Sequence, residues 1–455
     1  MSELADLKPS PEIPEGKPGN TRRAGRTRRL GGTFLREFVI PVALALVFIQ
    51  FAVQAFKIPS ASMENSLRIG DFLLGLKFVY GSPIPFTDKR LPAFTEPKPG
   101  DVLIFRYPGD PQYPEGKPER YAFVANLFLF GNLYWDRTPA ADQQRLVWYA
   151  PKDFIKRAVA QSGQTLDVEG ATLRIDGKPA QLPREGLYAA GTGETRAFDP
   201  VRDRLHVYLP KPGETVAFDT LSLKEVAWYR SLAIQEHPGS TVELRLDLAR
   251  GGAPANDFVM PLVRGDVRSG TQQMALYLLG YRLDQAPGAA GDELRAHDVP
   301  FARVQELART GFVRANDFMA PGSMAPSGLM QRVSHMYSRE EFAEYYLGNA
   351  LDLIGENLHA LDTTLRVHAT LVIDGKASDR YTVQKTVYFM MGDNRDNSSD
   401  SRYWGFLSRN NVKAKALIIY YSFENDNSSF SFANPLSWLT VPFKIRWTRL
   451  GRIIE

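Results

Sequence analysis

Phe154-Ile-Lys-Arg-Ala-Val-Ala160, followed after a short interval by Thr172-Leu-Arg-Ile-Asp-Gly-Lys178, reads as a strand and then a hairpin. In the first stretch, alternation puts Phe154, Lys156 and Ala158 on one face and Ile155, Arg157 and Val159 on the other, the two-residue period of a strand. In the second, the Asp-Gly pair supplies the positive φ angles that a tight hairpin turn requires. Thr370-Leu-Val-Ile-Asp-Gly-Lys376 nearly repeats it, so a second hairpin is expected there. Phe72–Tyr80, Val102–Arg106, Val387–Met391 and Ala416–Ser422 are further short apolar or alternating runs bounded by Gly, Pro and Asp. The body of the chain is therefore expected to be mostly β. Leu221–Gln235 and Ser338–His359 have helical patterns, the second opening with Ser338 as N-cap and Glu341 three residues on. Ala-Asn-Asp-Phe recurs at 255 and 315 without an evident physical reason.

At 455 residues the chain is long enough for two or three modules on a common core. Its net charge of +4 is small, and no motif that reads DNA or RNA is present, so nucleic acid is not an expected partner. With no cysteine, a thiol nucleophile, a disulfide framework and a Cys-ligated metal are excluded. The six histidines are scattered, with no pair at helical metal-ligand spacing, so neither a metal nor a cofactor is expected.

The basic excess is local. Residues 1–32 are rich in Pro, Gly and charge and end in Arg22, Arg23, Arg26, Arg28 and Arg29, a composition expected to stay disordered. Phe38–Phe56 then runs without a charge, close to the roughly 20 residues that cross a hydrocarbon core. A cleaved leader would be shorter, and a buried soluble helix would have a polar face. The expectation is a transmembrane anchor over 33–57, with the arginines on the cytoplasmic side and the remainder outside.

Directly after this run comes Ile58-Pro-Ser-Ala-Ser-Met63. A serine attacks a carbonyl only where a base takes its proton and donors receive the oxyanion, so Ser60 and Ser62 alone are equally well read as turn or cap residues. Lys156 sits on an otherwise apolar strand face; burial would lower its pKa toward that of a usable base, whereas an exposed lysine would merely cover apolar surface with its stem.

Four blocks in order resemble bacterial type I signal peptidase, the serine/lysine peptidase family S26. They are Ile58–Met63 with Gly70-Asp71 and Lys77-Phe-Val-Tyr-Gly81; Pro99-Gly-Asp-Val-Leu-Ile-Phe-Arg-Tyr-Pro108; Asp153-Phe-Ile-Lys-Arg-Ala-Val159 with Gly163; and Met391-Gly-Asp-Asn-Arg-Asp-Asn-Ser-Ser-Asp-Ser-Arg-Tyr-Trp-Gly-Phe406. The resemblance implies a membrane-bound serine endopeptidase that removes signal peptides from secreted preproteins after small residues, at Ala-x-Ala sites. It implies Ser62 as nucleophile, Lys156 as general base, and the Ser62 N–H and Ser60 hydroxyl as the oxyanion hole. Ser398 would orient the lysine. Arg157, Asp393, Arg395, Asp400 and Arg402 would form a supporting ion-pair network, since carboxylates near the lysine would raise its pKa and a guanidinium is no base. Phe56, Ile58, Phe154 and Ile155 match positions lining shallow substrate pockets; plain core packing is the other reading of them.

The implied fold class is an N-terminal transmembrane helix followed by a mostly β extracytoplasmic catalytic domain with a large α/β insertion. Its core parts are 58–108, 151–180 and 368–455, interrupted by insertions at 109–150 and 181–367; 237–335 resembles nothing recognisable. Implied partners are signal peptides, the phospholipid bilayer and the secretion translocon, at the bacterial cytoplasmic membrane. Trp438–Glu455 mixes aromatic and basic residues, which fits either an interfacial anchor or a last segment packed on the core. Two other functions stand beside this one: a family peptidase dedicated to one precursor class, and a non-catalytic tethered binding module. A Ser-x-x-Lys hydrolase of the penicillin-binding type lacks its later Lys-Thr-Gly here.

Overall fold

Val102–Arg106 and Asp153–Gln161 pair antiparallel in the register Leu103 opposite Lys156 and Phe105 opposite Phe154, which confirms the alternation read in the sequence. They lie at the heart of an antiparallel seven-stranded sheet ordered Val53–Lys57, Asp71–Leu76, Val412–Ser422, Val102–Arg106, Asp153–Gln161, Val387–Met391, Leu407–Ser408. The computed structural model describes residues 35–84, 89–108, 153–180, 183, 184, 186, 204–261, 298–310, 339–424 and 444–455. The insertion at 109–150, the Ala-Asn-Asp-Phe copy at 315 and Ser338 lie outside the described residues.

The register of Asp153–Gln161 against Val387–Met391 slips between Phe389 and Met390, leaving Val159 as an extra residue. Such a bulge bends the strand and re-aims its side chains. One buried cluster, Phe56, Ile58, Met63, Leu67, Leu73, Val102 and Ile104 among its members, lies on one side of the central strands. Tyr80, Leu103, Phe105, Tyr107, Ala158 and Trp404 form another.

The chain divides between Gln50 and Phe51 into two units. In the first, a π-helical turn Leu35–Val39 runs into the α-helix Ile40–Phe51. Phe38, Leu44 and Phe48 on it are exposed. This corrects the C-terminal bound of the expected anchor. The apolar run is not one helix: it ends at Phe51, and Val53–Lys57 is a strand paired with Asp71–Leu76. Hydropathy cannot tell an apolar helix from an apolar strand. Here ladder pairing and the burial of Phe56 decide for the strand. No helix among the described residues is long and apolar enough to cross a membrane.

Both Asp-Gly hairpins form. Asp176 and Gly177 have φ of 52° and 73°, and Asp374 and Gly375 have 48° and 79°. Leu223–Glu236 is a helix closed by a capping box, in which Ser222 accepts from the Glu225 N–H and Glu225 accepts from the Ser222 N–H. Arg339–Leu361 is helical as expected. These helices, with Phe301–Thr310 and the paired strands Val242–Arg250 and Leu365–Ile373, bury Trp228, Leu244, Leu246, Leu351 and Ile354 in one cluster with Val387, Phe389, Met391 and Phe406 of the central sheet region. The strand Leu365–Ile373 runs across position 367, where the sequence suggests an insertion edge.

Within the tail, Phe423 bridges Ile445 and Ile418 bridges Ile453, and Ile454 is buried with Ile58 and Met63. The described tail therefore packs on the core, while Trp447, 63% exposed, remains on its outer face.

Candidate active site

The strand Val53–Lys57 delivers the chain into a single 3-10 turn, Ala61–Met63, in which Ser62 is buried. This turn is gripped from the Met391–Phe406 block. Asn394 donates its backbone N–H to the Ser62 carbonyl and its side-chain amide to the Ala61 carbonyl, each at 3.1 Å. Gly392 allows the approach: a Cβ there would stand 2.4 Å from the Ser62 carbonyl oxygen and 2.2 Å from Ser398 Oγ.

Lys156, only 4% exposed, projects from Asp153–Gln161 and donates from Nζ to Ser62 Oγ at 2.6 Å. Ser60 Oγ lies 3.3 Å from Ser62 Oγ. The Lys156 ammonium is lowered to about 8: burial pushes it down, Asp400 and then Asp393 oppose this, and Arg402 adds a smaller downward push. A neutral lysine amine can accept the serine proton, which is what nucleophile activation needs. Histidine takes no part in these contacts, and no cluster of His, Cys, Asp or Glu among the described residues could hold a metal.

Two buried ion pairs frame the lysine. Arg157 holds Asp393 through both carboxylate oxygens, Nε to Oδ1 at 2.8 Å and Nη2 to Oδ2 at 2.7 Å, and its Nη1 donates to the Gly100 and Glu455 carbonyls. Arg402 holds Asp400 in the same bidentate way, at 2.8 Å on each oxygen, and also donates to the Arg395 carbonyl. Asp400 accepts the Gly392 N–H and caps the short helix Ser401–Trp404. Against the upward push of burial, the Arg402 charge and these hydrogen bonds hold the Asp400 carboxyl below the usual range. Arg395 is buried with Nη1 at 3.5 Å from Met391 Sδ. Ser398 Oγ is near enough to Asp400 to lower its pKa, yet among the described residues it stands in hydrogen-bonding geometry with no group, Lys156 Nζ included.

Of the expected pocket residues, Phe56 and Ile58 are buried in the cluster that contains Met63, and half-buried Ile155 packs against it. Phe154 belongs elsewhere, stacked on Tyr107 with ring centroids 4.5 Å apart.

Several positioning residues escape a reading of the sequence alone. Ser66 donates to Asp393 Oδ2, tying the loop after Ser62 to the Arg157 pair. Asp71 accepts from Ser422 and from Arg449, whose Nη2 also donates to the Ser66 carbonyl at 3.0 Å. Asn394 could have been found, because it lies inside the fourth block. Arg449 carries no local signal, being one basic residue among several in the tail.

Comparison with known proteins adds to this geometry. The family model described as "Signal peptidase, peptidase S26" matches residues 32–218 and 348–421, more than half of the chain. A protein named Signal peptidase I from Pseudomonas fluorescens is 34% identical over 119 residues, 24% of this chain and 42% of that protein. Its namesake from Mycobacterium tuberculosis is 30% identical over 190 residues, 40% of this chain and 59% of that protein. One from Aquifex aeolicus is 50% identical over 58 residues, 13% of this chain and 23% of that protein. The aligned stretches thus span about half or less of most of these relatives, and the family match passes over the segment that includes the helix Leu223–Glu236.

Proposed function

Since the chain belongs to the signal peptidase family, peptidase S26, we propose that it is a membrane-bound serine endopeptidase that removes signal peptides from preproteins, with Ser62 and Lys156 as its catalytic pair. The observation that carries this reading is the 2.6 Å contact between Lys156 Nζ and Ser62 Oγ, made by a lysine that burial has brought within reach of its neutral form. Neutral Lys156 takes the Ser62 proton as Oγ attacks the scissile carbonyl, and the Ser62 N–H with the Ser60 hydroxyl receives the developing oxyanion. Loss of one such donor typically raises the barrier by about 2.7–4 kcal/mol. Lys156 then gives the proton to the leaving amine, and the ester on Ser62 is hydrolysed by a water that Lys156 deprotonates in turn. Arg157–Asp393 and Arg402–Asp400 position this pair without exchanging protons. Ser398 closes onto the lysine when substrate fills the site, since catalytic hydrogen bonds often tighten only in the complex.

Phe56, Ile58 and Ile155 line the approach for the small side chains of an Ala-x-Ala site, in keeping with their position beside Met63. The exposed apolar face of Leu35–Phe51, preceded by the arginines of 22–29, supports attachment to the cytoplasmic membrane with the catalytic unit outside. Wild type, Ser62→Ala and Lys156→Met, purified in detergent, are to be compared on a preprotein with an Ala-x-Ala site. Both variants should lose cleavage while keeping the wild-type melting profile or exceeding it. Processing by Ser62→Ala would sink the assignment. Cleavage confined to one precursor among a panel would favour the dedicated peptidase instead.

A further inference from the structure

Behind the Asp400–Arg402 pair lies a helix that the family match does not include. We propose that Trp228, on Leu223–Glu236, is a positioning residue for the Ser62–Lys156 pair, acting through the Ser401–Trp404 helix; this rests on the catalytic reading above. Trp228 is 2% exposed, and its indole N–H donates to the Tyr403 carbonyl at 3.1 Å. Gly405, the C-cap of the short helix at φ +82°, leaves open the space that the indole fills: a Cβ there would stand 2.3 Å from Trp228 Cγ. About two helical turns further, Gln235 donates to the Phe406 carbonyl at 2.9 Å and accepts the Ser408 N–H at 2.8 Å. The same helix therefore fixes Tyr403 and Gly405 through Trp228 and the following segment through Gln235.

What these contacts hold still is the cap at the other end. The Gly405 N–H bonds to the Ser401 carbonyl at 2.9 Å, and Asp400 at the N-cap accepts the Gly392 N–H at 3.0 Å. Gly392 in turn lies against the Ser62 carbonyl. Within an interior packed as densely as a crystal, a hole at Trp228 relaxes by movement of what leaned on it; beside Phe389 and Phe406, that includes the Ser401–Gly405 segment, which Trp228 both hydrogen-bonds and touches at Gly405. Movement there alters the Asp400 carboxylate facing Lys156 and admits water to the lysine. Burial is the largest influence on Lys156, so loosening returns it toward an ordinary lysine and leaves less free base at neutral pH.

The test uses the full chain in detergent with a peptide substrate, measuring kcat and KM across pH for wild type, Trp228→Ala and Trp228→Phe. Trp228→Ala should move the acid limb of the kcat/KM profile to higher pH and lower kcat at neutral pH by about tenfold or more, with KM nearly unchanged. Trp228→Phe keeps most of the packing and should recover most of the rate. A folded Trp228→Ala protein with a wild-type pH profile, whatever its melting temperature, overturns the proposal. Should Trp228→Ala fail to fold, Trp228→Phe is combined with Asp400→Asn: shifts of the acid limb that differ from the sum of the single variants support action through Asp400, and additive shifts overturn it. Ser62→Ala, run in parallel, separates the two claims. Cleavage by that variant defeats the catalytic reading itself, whereas its inactivity alongside unaffected Trp228 variants defeats the positioning role alone.

Discussion

Asp400→Asn tests the electrostatics of Lys156, the proposed base, most directly. Lys156 is held at about 8 by burial, opposed first by the charge of Asp400. At that value roughly one enzyme molecule in ten has a neutral lysine at neutral pH, against about one in 2,500 for an unperturbed amine at about 10.4. Removing the Asp400 charge deletes the largest upward influence and leaves the Arg402 guanidinium, which pushes the same way as burial, without its carboxylate. Both effects lower the lysine pKa. A neighbouring opposite charge typically accounts for about 1–3 units, so the acid limb should move down by at least about one unit, equivalent to about 1.4 kcal/mol. The assay is kcat/KM against pH on a short Ala-x-Ala peptide, because that ratio reports the free enzyme. The position of the limb is the readout. Its height will also fall, since the cap on Gly392 N–H changes and an unpaired buried arginine costs about 3–5 kcal/mol of stability. Measurements therefore belong well below the melting temperature of the variant. An acid limb that stays where the wild type has it, or moves to higher pH, would refute the assignment of Asp400 as the chief charge acting on the base.

Two other substitutions probe how the site is held. Gly392→Ala places a methyl 2.2 Å from Ser398 Oγ and 2.4 Å from the Ser62 carbonyl, so the nucleophile turn must shift; a displacement of about 1 Å should cost about 100-fold in kcat, and near-normal kinetics would show that the turn tolerates it. Arg449→Ala strips Asp71 of its bidentate partner and the Ser66 carbonyl of a donor; a loss of about 3–5 kcal/mol in denaturant unfolding is expected, and a loss under 1 kcal/mol would mean that Arg446 and Ser422 suffice for Asp71.

Much of the central sheet was legible because its strands are short, alternating and bounded by turn residues. Val102–Arg106 and Val387–Met391 coincide with their sequence runs, and the two Asp-Gly turns fall where only small or Asx residues accept positive φ. The anchor was misread at its end for the opposite reason. Phe51–Phe56 is uncharged and apolar but for Gln54, and such a run carries no sign of whether its backbone pairs within itself or with a neighbour.

The candidate site divides along the same line. Ser62, Lys156 and the Met391–Phe406 block could be named from the chain because the four blocks resemble the signal peptidase family; local pattern alone left the serines equally well read as turn or cap residues. Only the tertiary structure brings Lys156 within 2.6 Å of a serine 94 positions away and removes both from water, and burial, a property of everything packed around the amine, is what sets its proton affinity. The same holds for the supports. Asn394 on the Ser62 turn, Arg449 on Asp71 and Trp228 against Gly405 act across long sequence separations through carbonyls and packing volume, which any residue of suitable size or charge could have supplied from elsewhere in the chain. Sequence determined which groups can do the chemistry; the fold decided their distances and their desolvation, because both depend on what the chain places around them.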